Sequence, residues 1–220
     1  NMIIKFKHVY HSIFVLALVF SLTFLLPLSS LSSDDVDRKL LEAIESKTGF
    51  APADYLLESI ALSTPFIEGG VTLKLLKDDD GLPLASSLLL TQITCLSIKY
   101  IIDRPRPNLR RYKPRLWNTR MTPSFPSGHA ASSFAFATFI SSRYPRYRPY
   151  LWLYAGLSGF SQMYVGNHYP SDVLIGALLG YTVARITPYL FEGSDEVLGD
   201  QLQLHQLAIP TLFQAVQHVK

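Results

Sequence analysis

The sequence has a single cysteine, Cys95, set in an apolar run. One thiol excludes an intrachain disulfide and any metal site built on paired cysteines. It reads instead as a small buried apolar residue. Charge is also scarce. Asp, Glu, Lys and Arg make up 17% of the chain against 48% hydrophobic residues, so it is more apolar than an ordinary soluble domain. A net charge of +3 over 220 residues gives no reason to expect a nucleic-acid partner. No internal repeat and no low-complexity segment is present, and ahead of the tail there is no period-two alternation. Repeat solenoids and β architectures are thereby set aside.

What is present is a series of six long apolar segments. The first, residues 13–28, follows Lys5 and Lys7 and precedes "LSSLSS" and "DDVD". Residues 1–33 therefore read as a signal peptide or a first transmembrane helix. Next, residues 34–46 place Val36, Leu40, Leu41 and Ile44 on one helical face, which predicts an amphipathic surface helix. The other apolar segments are 55–76, 82–102, 130–142, 150–165 and 173–191. The breaks between them contain "DDDGLP", "RPRP", "SRYPRYRP" and "GNHYPSD", which are turn and helix-start signals. The expected fold is an all-α bundle of about six long, membrane-spanning helices with its site at one end. Its domain covers 34–192, and 193–220 forms a C-terminal tail.

With the N-terminus in the cytoplasm and all six segments spanning, Arg143, Arg146 and Arg148 fall on the cytoplasmic side with Lys5 and Lys7. The stretch from Arg104 to Arg120 carries seven basic residues and no acidic one, yet falls outside. A basic loop placed against the usual bias suggests an anionic ligand.

Hairpin parity then brings three distant pieces together, because successive helices of an up-and-down bundle alternate in direction. Lys99 and Arg106 close the third segment, His129 opens the fourth, and His168 and Asp172 lie between the fifth and sixth. All should meet at one end. Lys99 and Arg106 are fixed cations beside two prolines. Ser127 and Gly128 offer a hydroxyl and a bare backbone at a helix start, where amides attract anions. Asp172 follows His168 by four residues, so its carboxylate can hold one ring nitrogen and leave the other free to attack. With His129 as a second acid–base group, the set points to phosphoryl transfer through a phosphohistidine. Two histidines and an aspartate can also bind zinc, but the adjacent cations oppose it, and no metal is required.

The pieces resemble the PAP2 superfamily, which contains phosphatidic acid phosphatases, bacterial acid phosphatases and vanadium haloperoxidases. The family signature is K-x6-RP, PSGH and SR-x5-H-x3-D. Here Lys99 to Arg106-Pro107 matches the first part, Pro126-Ser127-Gly128-His129 the second, and Ser161, His168 and Asp172 the third. The resemblance runs from about residue 82 to 180. It implies His168 as nucleophile, Asp172 as its orienting partner and His129 as general acid. It implies Lys99, Arg106, Ser127 and the Gly128 amide as phosphate ligands, with no metal or organic cofactor. One position departs from the pattern, since Gln162 stands where the family has arginine. Losing a charge-assisted bond there costs ~2–4 kcal/mol in the transition state, or about 10²–10³-fold in rate. Arg104, Arg110 and Arg111 are candidates to replace that charge.

A site at the outer mouth of a membrane bundle favours a lipid phosphate: phosphatidate, phosphatidylglycerol phosphate, an isoprenyl pyrophosphate or a lipid A phosphate. The expected location is a bacterial inner membrane with the site facing the periplasm. The alternatives are a soluble periplasmic acid phosphatase after signal cleavage, a PAP2-like binder of anionic lipid weakened by Gln162, and a haloperoxidase. No residue fixes the head group or the oligomeric state.

Overall fold

The computed structural model describes residues 33–45, 51–107 and 122–188. The expected leader or first span, most of the basic loop and the tail lie outside these residues. Among the described residues every regular element is a helix, and no strand is present. The helices are α1 (Ser33–Glu45), α2 (Ala51–Leu75), α3 (Gly81–Ile102), α4 (Gly128–Arg143), α5 (Arg148–Tyr164) and α6 (170–188). A short 3-10 turn, Pro145–Tyr147, joins α4 to α5.

The centre of the bundle is α4, buried along nearly its whole length and packed against α2, α3 and α5. Small residues make this possible, since Ala130, Ala131, Ala135 and Ala137 are all fully buried. Larger side chains fill two clusters. Leu84, Phe136, Phe139 and Ile140 form one with Ala184. Cys95, Ile98 and Phe125 form the other with Leu179 and Val183, which confirms Cys95 as a core residue. At the end away from the site, Arg143 pairs with Asp80 at 3.0 Å and ties the end of α4 to the start of α3.

Helix α6 lies directly on the α4 backbone. A Cβ at Gly176 would come within 2.4 Å of the Ser127 carbonyl oxygen, and one at Gly180 within 1.9 Å of the Ala131 carbonyl oxygen. Only glycine permits that approach, in the manner of small-xxx-small helix contacts. The same approach lets the Ser127 amide donate to the Asp172 carbonyl at 2.9 Å. The helix that carries Asp172 is thus registered against the helix that carries His129.

Polarity is arranged inside out. Large apolar side chains face outward on four helices, with Phe66, Leu89, Leu153 and Leu174 each more than 60% exposed. Polar groups turn inward. Glu68 of α2 is buried and accepts hydrogen bonds from the Ser133 hydroxyl at 2.9 Å and the Tyr154 hydroxyl at 3.2 Å. Ser158 joins the same network by bonds to Ser133 and Thr64. This places polar residues where packing alone would put leucine, and pairs them with one another.

Helix α1 corrects the expected apolar face. Val36 and Leu40 are more than half exposed, whereas Asp37 and Leu41, one turn apart, are buried. The cause is an ion pair between Asp37 and Arg104 of the bundle. It draws the acidic edge of the helix inward.

The α4–α6 contact yields a prediction. Gly180→Ala should lower the detergent melting temperature by roughly 3–10 °C through overpacking. Gly69→Ala should have little effect, because nothing lies within 4 Å of that site. Equal melting of the two variants would contradict the packing described.

Candidate active site

The three sequence pieces meet where α3 ends, α4 begins and the α5–α6 turn crosses between them. Lys99, Arg106, Gly128, His129, Gln162 and His168 all line one cavity of about 680 Å³. The convergence expected from hairpin parity is therefore present in the structure.

His168 lies in the turn and is 2% exposed. The Gln162 carbonyl fixes the turn by accepting from the Asn167 amide at 3.0 Å and the His168 amide at 3.3 Å. The imidazole Nδ1 faces Asp172, 3.6 Å from Oδ2. Its Nε2 lies 3.4 Å from Arg106 Nη1, beside the cavity. The two ring nitrogens are thus held apart in function, one toward the carboxylate and one toward the open space.

Asp172 is fully buried and well supplied with donors. Its Oδ2 accepts from the Ser124 hydroxyl at 2.5 Å and the Tyr169 amide at 2.9 Å. Its Oδ1 accepts from Arg104 Nη1 at 2.7 Å. Ser124 Oγ also lies 3.5 Å from His168 Nδ1, so one hydroxyl stands against both members of the pair. A buried carboxylate needs such partners to keep its charge.

The cations are braced by backbone. Lys99 Nζ donates to the carbonyls of Pro123 at 2.8 Å and Ser124 at 3.2 Å. Arg106 donates to the Thr122 carbonyl at 2.9 Å and the Asn167 carbonyl at 3.0 Å. Both charges are therefore held on the wall where an anion would sit. Asp103 lets the chain turn there. It ends α3 with φ of 49°, and its amide returns to the Lys99 carbonyl at 2.8 Å.

Two expectations change. Ser127 was expected on the phosphate, yet it is fully buried, does not line the cavity, and its hydroxyl accepts from the Ala130 amide as the N-cap of α4. Its contribution is to fix the helix start. Arg104 was a candidate substitute for the charge absent at Gln162. Its guanidinium instead binds Asp172 and Asp37 and stacks 4.2 Å over the Tyr169 ring. Arg110 and Arg111 lie outside the described residues. Gln162 is buried on the cavity wall and accepts from the Asn167 side chain at 3.1 Å. Gly128 lines the cavity, and a Cβ there would meet Gln92 and Cys95 at 3.4 and 3.8 Å.

Sequence reasoning missed Ser124, Thr122, Gln92 and Asp37. Ser124 and Thr122 precede the PSGH stretch without a spacing signal of their own. Gln92, whose Nε2 donates to the Gly128 carbonyl at 3.1 Å, is one polar residue in an apolar helix. Asp37 sits 135 positions before Asp172. Among the described residues, no three His, Cys, Asp or Glu side chains gather closely enough to hold a metal ion.

Burial pushes the His168 imidazole down to a pKa of about 4, with Arg106 and Lys99 adding to the effect and Asp172 opposing it. The lowered pKa keeps the ring neutral at pH 7.

An all-α bundle with a histidine–aspartate pair and two braced cations at one end defines the class. Residues 80–195 match the PAP2 superfamily, and the chain belongs to that superfamily. It is 38% identical over 68 residues to a lipid A 1-phosphatase of Rhizobium johnstonii, covering 31% of this chain and 28% of that one. It is 35% identical over 106 residues to the undecaprenyl-diphosphatase BcrC of Bacillus subtilis, covering 46% and 53%. The chain therefore spans about half or less of the length of these curated relatives. Among solved structures, Aquifex aeolicus LpxE superposes with a TM-score of 0.59 at 27% identity, over 68% of this chain and 92% of that one. A transmembrane PAP2-type phosphatidylglycerolphosphate phosphatase of Bacillus subtilis shares the fold. Its TM-score is 0.63 at 21% identity, over 80% and 95% of the two chains.

The position of His168 has a consequence for stability. Between pH 6.5 and about 4 the unfolded chain binds a proton that the folded chain refuses, so the unfolded state is favoured as pH falls. The detergent melting temperature should drop across this window, and His168→Ala should flatten part of that drop. Parallel pH curves for the two proteins would contradict the neutral, buried ring.

Proposed function

We propose that the chain is a metal-independent phosphatase acting on a lipid phosphate monoester or pyrophosphate through a phosphohistidine. The observation that carries this reading is the His168 ring, oriented by Asp172 on one side and set beside Arg106 and the cavity on the other. In the first step Nε2 of His168 attacks phosphorus and the bond to the leaving oxygen breaks. His129 gives that oxygen a proton. In the second step neutral His129 takes a proton from water, the hydroxide attacks phosphorus, and the nitrogen–phosphorus bond breaks to release phosphate. Lys99, Arg106 and the backbone at Gly128 stabilise the charge on the transferring oxygens.

The cavity supports a lipid substrate. Beyond the cations it continues along Leu62 and Phe66 of α2 and Leu88, Leu89 and Leu96 of α3. A phosphate at the polar end leaves a hydrocarbon chain against this wall. The outward apolar belt suits a bilayer, and α3 is long and apolar enough to cross one. Arg143, Arg146 and Arg148 stand at the end of the bundle opposite the site. A cytoplasmic position for them directs the site to the periplasmic face of a bacterial inner membrane. The relatives named for lipid A and undecaprenyl diphosphate act on that kind of substrate. On this reading the PAP2 domain occupies 34–192.

The test is phosphate release in detergent with EDTA, from a panel containing phosphatidate, phosphatidylglycerol phosphate, an isoprenyl pyrophosphate and a lipid A phosphate. Release should persist with EDTA and vanish in His168→Ala. Gln162→Arg should raise the rate by up to about 10²-fold if a charge is missing at that position. Full activity in His168→Ala would contradict the mechanism. Silence of the given chain with activity in Gln162→Arg would identify a scaffold weakened at one residue.

A further inference from the structure

Asp37 belongs to none of the three sequence motifs, and it lies on a helix most of whose described residues are exposed, Leu41 apart. The ion pairs along that helix, Arg38 with Asp35 and Glu42 and Lys39 with Asp35, are exposed and contribute little. Asp37 differs, being 5% exposed and bonded only to the active-site end of the bundle. Its Oδ2 accepts from Arg104 Nη2 at 3.0 Å, and its Oδ1 accepts from the Ser171 amide at 3.0 Å. The Ser171 hydroxyl also donates to Asp37 and accepts from Arg104 Nη1 at 2.7 Å. Arg104 then reaches Asp172 with that same Nη1, at 2.7 Å.

We infer that Asp37 is a positioning residue for phosphoryl transfer. It holds Arg104 and the first turn of α6 in place and, through them, the carboxylate that orients His168. The inference rests on the phosphatase reading above and extends it to a helix outside the family signature. A guanidinium stacked on Tyr169 and shared by two buried carboxylates has one geometry available. Without Asp37, Arg104 loses the carboxylate that its Nη2 reaches at 3.0 Å. Asp172 then keeps its bonds from Ser124 and Tyr169, but its Oδ1 loses a fixed donor, and the His168 ring loses its fixed bearing. Among the described residues no hydrogen bond or ion pair joins Asp37 to Lys99, Arg106 or Gly128, so these phosphate ligands stay where they are. Loss of Asp37 should therefore slow the chemical step without weakening the hold on phosphate.

The experiment uses the full chain in detergent with dioctanoyl phosphatidate as probe, comparing wild type with Asp37→Ala, Asp37→Asn, Asp37→Glu and His168→Ala. Asp37→Asn keeps the side-chain volume and an acceptor for the Ser171 amide, so it separates charge from folding. By analogy with outer partners of catalytic groups, kcat should fall about 10–100-fold in the Ala and Asn variants. KM and the inhibition constant of inorganic phosphate should stay within about twofold, because ground-state binding is untouched. The inhibition constant of orthovanadate, which mimics the five-coordinate state bonded to the histidine, should rise in step with the loss of kcat. Asp37→Glu should recover part of the rate. Wild-type kcat in both Asp37→Ala and Asp37→Asn would overturn the inference. So would a loss in which phosphate and vanadate weaken equally, or one matched by the fraction of protein that has unfolded. His168→Ala tests the parent reading separately, since activity surviving in it contradicts the phosphohistidine whatever the Asp37 variants do.

Discussion

The close contact between α6 and α4 is the constraint on which the site depends. Gly176 and Gly180 remove the side chains that would hold these helices apart, and the Ser127 amide then bonds to the Asp172 carbonyl. That one bond fixes the third motif against the second. Once Asp172 is registered there, Ser124 reaches its carboxylate from the chain entering α4, and Arg104 reaches it from the chain leaving α3. His168, one turn before Asp172, is carried to the cavity wall beside Arg106. A wider helix spacing would separate His168 from Lys99 and Arg106 even with every residue of the signature present.

Polarity explains how such a site is sustained. Inside a membrane, helices gain little from burying leucine against leucine, because lipid tails are equally apolar. The interior then favours small residues and paired polar groups, and this bundle has both, in the alanines of α4 and in the network of Glu68, Ser133, Ser158 and Tyr154. At the site the same economy holds. Lys99 and Arg106 are braced by main-chain carbonyls, and both line the cavity. Arg104 has the opposite arrangement. Two carboxylates claim it, and it acts as a strut.

Features set by local order could be read from the sequence. Helix spans followed from apolar runs and turn signals. Convergence at one end followed from parity, and the His168–Asp172 relation from a four-residue spacing. Features set by side-chain direction could not. The sequence places Ser127 next to Gly128, yet the helix start turns that hydroxyl onto Ala130 and away from the cavity. Arg104 and Arg106 are two residues apart with opposite roles, one held by Asp172 and Asp37 and the other set beside His168 at the cavity. The inward edge of α1 was misjudged for a related reason. Hydrophobic periodicity favours Val36 and Leu40, but an ion pair with a residue 67 positions away outweighs it. Ser124 offered no signal, since its importance comes entirely from tertiary placement.

On the proposed mechanism the phosphoryl group passes to His168. The most direct test is to mix the chain with radiolabelled lipid phosphate, quench in alkali during turnover, and map the labelled peptide by mass spectrometry. An alkali-stable, acid-labile phosphoryl group is expected on the peptide carrying His168, at Nε2 rather than Nδ1. Turnover without any such adduct, or a label on His129 in its place, would contradict that mechanism.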